Sequence, residues 1–287
     1  MRKSKLFRQL LEKPGLTLRP CAYDALSAIL IEREGFNLLG TSGYAISASS
    51  IGQPDLGLIS FGELFDRTRN IINSVSIPVD VDADTGYGNA LNVYWTVKNY
   101  IKIDAAGVRI EDQTWPKRCG HMSGKSIVSK EEMVHKIQAA VRSRDEESSD
   151  MVIGARTDAR AIEGFEKTIE RCIDYAKAGA DYIYVECPQS LGEVRQFVDG
   201  IPIPLAFNLI PGGKTPLFAI SELQDIGVKY LSIPMICVYP AAKAMSNALK
   251  MLKDGDLAGI GKIGVSWSEF NDLVGGRKWR QLEDEFR

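Results

Sequence analysis

Eight short runs of almost continuous apolar residues punctuate the chain. The runs are LRPCAY (18–23), NLLGT (37–41), IPVDVDAD (77–84), GVRIED (107–112), MVIGART (151–157), DYIYVE (181–186), IPLAFN (203–208) and VKYLSIP (228–234). Between them lie longer stretches with apolar residues at three- and four-residue spacing, such as ALSAILIEREG (25–35), NVYWTVKNYIKI (92–103), KEEMVHKIQAAVRSR (130–144) and FEKTIERCIDYAKAG (165–179),. Two of these end at Gly35 and Gly179, where a left-handed C-cap is expected,. Strands apolar on both faces need cover on both faces, so strands of this kind joined by helices form a parallel sheet. Eight such units in about 250 residues suit a closed (β/α)8 barrel, whereas an open doubly wound sheet usually has fewer strands. Beyond the eighth unit, residues 254–287 read as two short helices broken at Gly275 and Gly276. The expected organisation is therefore an α/β (TIM-type) barrel over 1–253 and a C-terminal helical appendage over 254–287 that packs on a neighbouring subunit.

Charge and composition narrow the function. A formal charge of -2 and a pI near 5.9 offer no basic stripe for neutralising phosphates, which argues against a nucleic-acid partner,. No apolar run approaches the roughly 20 residues a bilayer demands, and MRKSKLFRQLLEKPG has no signal-peptide core, so no membrane association and a cytoplasmic location are expected,. The five cysteines are odd in number, widely spread and without a C-x-x-C pair, as for free thiols,.

A barrel places its chemistry at the C-terminal ends of its strands. Asp80, Asp82 and Asp84 follow one another at the side-chain period of a strand, so their carboxylates share a face,. Crowded acids on an apolar strand need a cation or protons, and a hard divalent ion, Mg2+ or Mn2+, fits Asp82 and Asp84. Asp80 lies deepest and reads better as structural. The fourth run ends in Glu111, the fifth offers Arg156, the sixth ends in Glu186 and the seventh in Asn208. Arg156 suits a carboxylate fork, or else pairs with a neighbouring acid. Together these residues describe a small acidic substrate bound through a metal.

The loop EDQTWPKRCGHMSGK (111–125) follows the fourth run and holds one of only two histidines. Cys119 and His121 flank Gly120 just after Lys117 and Arg118, which reads as a thiol whose proton neighbouring cations make labile,. Its glycines suit a mobile lid that excludes water. Metal ligation by Cys119 and His121 is disfavoured because no second pair stands at ligand spacing.

KRCGH (117–121), DADTGYGN (82–89), ARTDA (155–159) and GGKTPL (212–217) resemble the isocitrate lyase and phosphoenolpyruvate mutase superfamily, from residue 17 to the C-terminus. The branch is that of 2-methylisocitrate lyase, 2,3-dimethylmalate lyase, petal death protein and carboxyphosphoenolpyruvate phosphonomutase. The resemblance implies a barrel whose last helix is exchanged between subunits of a homotetramer, with Mg2+ organised by Asp84, Asp82 and Glu111. It further implies that Ser42, Gly43 and Tyr44 hold the substrate carboxylate and that Asp55 lies near the mouth. Lys117, Arg118, Gly120, Asn208 and Pro234 would complete substrate binding. Catalysis would fall to Cys119, His121, Arg156 and Glu186, with Cys119 protonating the enolate released when the C2–C3 bond of a 2-hydroxy acid breaks.

Departures bear on the substrate. Pro211 replaces a glutamate that the bacterial 2-methylisocitrate lyases carry, Arg109 replaces a histidine, and Gly40 a tyrosine. The stretches SGY, WPKRCGHMSGK and SWSEFNDL look more like the dimethylmalate lyase, petal death protein and phosphonomutase group. The expected activity is Mg2+-dependent cleavage of 2-methylisocitrate to pyruvate and succinate or of 2,3-dimethylmalate to pyruvate and propionate. Phosphonomutase chemistry and oxaloacetate hydrolysis are the alternatives, and a non-catalytic metabolite-binding barrel a remote one.

Overall fold

The computed structural model describes residues 2–287. Its strands are β1 (Thr17–Ala22), β2 (Leu39–Thr41), β3 (Val79–Asp82), β4 (Gly107–Glu111), β5 (Val152–Thr157), β6 (Tyr182–Val185), β7 (Leu205–Asn208) and β8 (Tyr230–Ile233). They pair in parallel in sequence order, and β8 returns to β1 with Thr17 opposite Tyr230, so the sheet closes into the expected barrel. Each of the eight apolar runs contains one strand. The helices up to the eighth strand are α1 (Lys3–Glu12), α2 (Ala25–Arg33), α3 (Gly43–Ile51), α4 (Phe61–Ser74), α5 (Ala90–Lys102), α6 (Lys130–Glu146), α7 (Phe165–Lys177), α8 (Leu191–Gly200) and α9 (Ile220–Ile226). Local sequence sets many of their starts. Asp24, Ser60 and Asn89 each accept a backbone N–H from the first turn that follows, in capping boxes that satisfy donors the helix cannot,.

Much of the barrel interior is polar, where branched aliphatic layers are usual. Arg19 Nη1 lies 2.5 Å from Asp80 Oδ2, which also accepts from Tyr182 Oη at 2.9 Å and Tyr230 Oη at 3.3 Å. Arg19 and Asp80 are wholly buried, so the ion pair and its phenols form a closed structural plug beneath the site,. Glycine makes the room: a Cβ on Gly154 would stand 2.1 Å from the Tyr182 ring, and one on Gly40 would stand 2.6 Å from Arg19 Nη1. Phe7 of α1 is fully buried and packs edge-on against Tyr230, with ring centroids 6.1 Å apart. Burying such a ring stabilises by roughly 1.5–3 kcal/mol.

The chain falls into two compact units, 1–235 and 236–287. The second contains α10 (Val238–Lys253), α11 (Leu257–Ile263), α12 (Trp267–Leu273) and α13 (Gly276–Glu285). The division therefore precedes the helix after β8, not residue 254 as expected, and the segment beyond 254 holds three helices where two were expected. The break at Gly275 is real: its φ of 81° separates α12 from α13. No described residue of α10 to α13 is buried.

Candidate active site

The C-terminal ends of the strands surround a cavity of about 420 Å3, including its open mouth. Ser42, Gly43, Tyr44, Asp55, Asp82, Cys119, Gly120, His121, Arg156, Glu186, Asn208 and Pro234 line it. Lys117 sits one contact behind, bridging Asp55 and Asp84 at 2.7 Å each, and Glu111 lies 3.2 Å from Arg156 Nη1. Arg118 is exposed; its side chain turns to Ser123 O and does not line the cavity.

The acids occupy different electrostatic states. Asp82 Oδ2 lies 3.2 Å from Arg109 Nη2 across the β3–β4 register. Burial opposes its charge, but Arg109, Lys117 and Arg156 outweigh that and lower its pKa to about 2,. Asp84, held at a left-handed φ of 48°, goes the other way: burial lifts its pKa to about 6 despite Lys117,. Burial likewise pushes Glu111 well above the carboxylate range. Glu111 Oε1 is buried without a hydrogen bond, while Asp84 Oδ1 and Glu111 Oε2 meet only the Lys117 ammonium at 2.7 Å and the Arg156 guanidinium at 3.2 Å. Unsatisfied hard oxygens of this kind are what a small divalent cation takes, so the residues present fit Mg2+.

The long loop after β4 lies folded over these groups. Cys119 N–H donates to Asp55 O at 3.1 Å, and Gln113 holds Arg118 by both its backbone N–H and its carbonyl. Gly120 rests directly on the site, since a Cβ there would come within 2.3 Å of Glu186 and 2.5 Å of Arg156. Lys125 Nζ reaches Gly120 O at 2.5 Å and Asp158 Oδ1 at 2.5 Å, and Asp158 in turn accepts from Arg156 Nε at 3.0 Å. His121 Nε2 contacts Asn208 Oδ1 at 2.9 Å and Glu186 Oε1 at 3.2 Å. Its Nδ1 accepts the Lys214 N–H at 2.8 Å, which requires the neutral tautomer protonated at Nε2, while burial opposes the imidazolium and Glu186 with Asn208 at Nε2 outweigh it and raise its pKa,. Pro211, where a family glutamate was missed, is exposed, and the backbone of Gly213 and Lys214 meets His121 instead.

One expectation is corrected. Cys119 was read as a thiol made labile by adjacent cations, yet burial, helped by Glu186 and Asp55, pushes it up to about 11. Lys117 spends its charge on Asp55 and Asp84, and Arg118 points outward, so neither cation activates the sulfur. At neutral pH Cys119 is a thiol that carries its proton into the cavity. Sequence reasoning also missed Lys125, Asp158 and the pairing of Arg109 with Asp82. Lys125 and Asp158 both stand inside motifs that attracted attention for other residues. Arg109 gave one signal, a charge in the middle of an otherwise apolar strand.

A closed parallel barrel with an acidic cluster under a long loop at its C-terminal end is the architecture of a barrel enzyme,. The chain belongs to the phosphoenolpyruvate phosphomutase family, whose model matches residues 7–253. It is 42% identical to 2,3-dimethylmalate lyase from Eubacterium barkeri, over 100% of this chain and 99% of that protein. It is 41% identical to 2-methylisocitrate lyase from Aeropyrum pernix, over 98% of this chain and 93% of that protein. Among solved structures, oxaloacetate acetylhydrolase with 3,3-difluorooxalacetate superposes with a TM-score of 0.94 at 32% identity, covering 99% of this chain and 97% of the other. The family resemblance and the barrel expected from the sequence are thus both found.

Proposed function

We propose that the chain is a Mg2+-dependent lyase that cleaves the C2–C3 bond of a 2-hydroxy di- or tricarboxylate, either 2,3-dimethylmalate to pyruvate and propionate or 2-methylisocitrate to pyruvate and succinate. The observation that carries this reading is a half-buried Cys119, its pKa pushed up to about 11, in the same cavity as Arg156 and beside an acidic cluster in which Glu111 Oε1 has no hydrogen bond. Asp84 and Glu111, with Asp82 beside them, would hold Mg2+, which when bound stabilises oxygens that gain negative charge. The first turn of α3, nine residues long, presents the N–H groups of Gly43 and Tyr44 to a substrate carboxylate at the positive end of the helix dipole,. Arg156, fixed by Asp158 and Glu186, offers a charged donor to the oxygens of the departing group,. As the C2–C3 bond breaks, a cavity-lining carboxylate such as Asp55 would take the proton of the C2 hydroxyl that becomes the pyruvate carbonyl, and Cys119 gives its proton to the carbon left as an enolate, which completes the departing carboxylic acid,. His121 does not touch the thiol's proton in this scheme; it ties the lid to Asn208 and Glu186 so that the sulfur is delivered in place,.

Similarity to oxaloacetate acetylhydrolase favours one second reading, the splitting of oxaloacetate to oxalate and acetate on the same oxygens. The two separate in one experiment. Pyruvate release, followed by coupling to lactate dehydrogenase, is expected from a 2-alkylmalate or 2-methylisocitrate with Mg2+ and is abolished by EDTA; oxalate from oxaloacetate without pyruvate from any acid would replace the lyase with the hydrolase. The exposed apolar side chains of the second unit, among them Leu249 and Trp279, support the further reading that these helices pack on a neighbouring copy in a homotetramer. Light scattering tests it.

A further inference from the structure

Cys187 takes no part in the reaction above, yet it lies against the lid. It follows Glu186 at the end of β6 with a left-handed φ of 57°, and its Sγ is 3.5 Å from Gly120 O. The same sulfur is 3.7 Å from Glu186 Oε1, and Glu186 Oε1 is 3.2 Å from His121 Nε2. One ligand atom from each of His121, Glu186 and Cys187 falls within 4.8 Å of the other two. Tetrahedral Zn2+, with bonds of about 2.0–2.3 Å, places its ligand atoms about 3.4–3.6 Å apart. Two of the three edges, at 3.7 and 3.2 Å, lie close to that spacing, and the third, no longer than 4.8 Å, closes with a shift of His121, which sits on a loop bounded by Gly120 and Gly124,.

We propose that His121, Glu186 and Cys187 form an inhibitory site for a thiophilic divalent cation, Zn2+ in the first place, distinct from the oxygen cluster that fits Mg2+. The donor sets explain the separation. Nitrogen, one carboxylate oxygen and sulfur select a borderline-soft ion, whereas Asp82, Asp84 and Glu111 offer oxygen alone. Glu186 meets Arg156 Nε through Oε2, at 3.3 Å, whereas Oε1 accepts from the neutral Asn208 Nδ2 at 3.2 Å, a bond that the cation replaces. Ligation through Nε2 moves the His121 proton to Nδ1, so His121 gives up both Asn208 Oδ1 and the Lys214 N–H when it binds, and water fills the fourth position,. The consequence is inhibition, because the lid residue that ties Cys119 in place is then held by the metal to the end of β6. A cysteine binds such a cation as thiolate, so capture by Cys187 expels the thiol proton.

Cobalt(II) is the probe that reads the sulfur. In the presence of saturating Mg2+, Co2+ added to the wild-type protein is expected to give a near-ultraviolet thiolate-to-cobalt charge-transfer band that Zn2+ quenches at one equivalent. Cys187→Ser is expected to abolish the band and raise the Zn2+ concentration for half-inhibition at least about tenfold, while turnover without Zn2+ is unchanged. Cys119→Ser is expected to keep the band. No band in the wild-type protein, or a band kept in Cys187→Ser and lost in Cys119→Ser, would overturn the proposal. The spectrum needs no turnover, so it stands or falls separately from the lyase reading.

Discussion

Lys125→Met removes the latch that holds the lid to the barrel wall. The Lys125 side chain is 3% exposed, and its ammonium makes two bonds, to Gly120 O and Asp158 Oδ1, at 2.5 Å each. Hydrogen bonds to a charged group contribute about 1.5–3 kcal/mol each, but the methionine keeps the buried stem and Asp158 keeps Arg156, so about 2–3 kcal/mol of lid closure is lost,. That shifts the closed-to-open ratio by roughly 30- to 150-fold, and kcat/KM falls by as much if closure precedes bond cleavage. Steady-state pyruvate release measures it. A matched assay adds limited proteolysis, since an open lid exposes cleavage sites between Pro116 and Lys125 whose rate of cutting rises in proportion. The barrel itself makes no use of this latch, and the thermal midpoint is expected to move by no more than a few degrees. A loss in kcat/KM below threefold with unchanged proteolysis would refute the latch.

The other expectations follow from the same geometry. Asp84 titrates at about 6, so the affinity for Mn2+, measured by electron paramagnetic resonance, is expected to hold above pH 7 and to fall about tenfold per unit below pH 6, as a proton competes for the carboxylate,. Arg109→Gln takes the partner from a buried Asp82 and is expected to lower stability in urea by roughly 3 kcal/mol, the low end for breaking such a pair because Lys117 and Arg156 still face that acid,. Nitrogen-15 NMR is expected to show His121 as the neutral Nε2–H tautomer near pH 8, with His121→Gln assigning the signal in a chain of two histidines,.

The barrel was legible because its strands fall in eight short, mostly apolar runs, DYIYVE and VKYLSIP among them, with a change of period at each boundary,. The acids at the strand ends were legible for a related reason, since carboxylates at the period of a strand must converge. Less was readable where function depends on distances across the barrel. Cys119 looked activated because Lys117 and Arg118 precede it, but neighbours along a loop need not be neighbours in space, and both cations point elsewhere. Lys125 and Asp158 are separated by 33 positions, and only closure of the lid brings them together. The division near residue 235 left no mark in the sequence because α10 is about as amphipathic as α5 and α8, although none of its residues is buried.

The most direct test of the account follows the proton. With Mg2+ in D2O, the wild-type protein acting on 2,3-dimethylmalate or 2-methylisocitrate is expected to release pyruvate and an equal amount of propionate or succinate carrying one deuterium on the carbon that left C2, in a single stereochemical sense. Cys119→Ala, with Mg2+ affinity unchanged, is expected to release neither at a measurable rate. Products formed at the wild-type rate by Cys119→Ala, or deuterium placed without stereochemical preference, would contradict Cys119 as the acid; no pyruvate from either substrate would contradict the lyase.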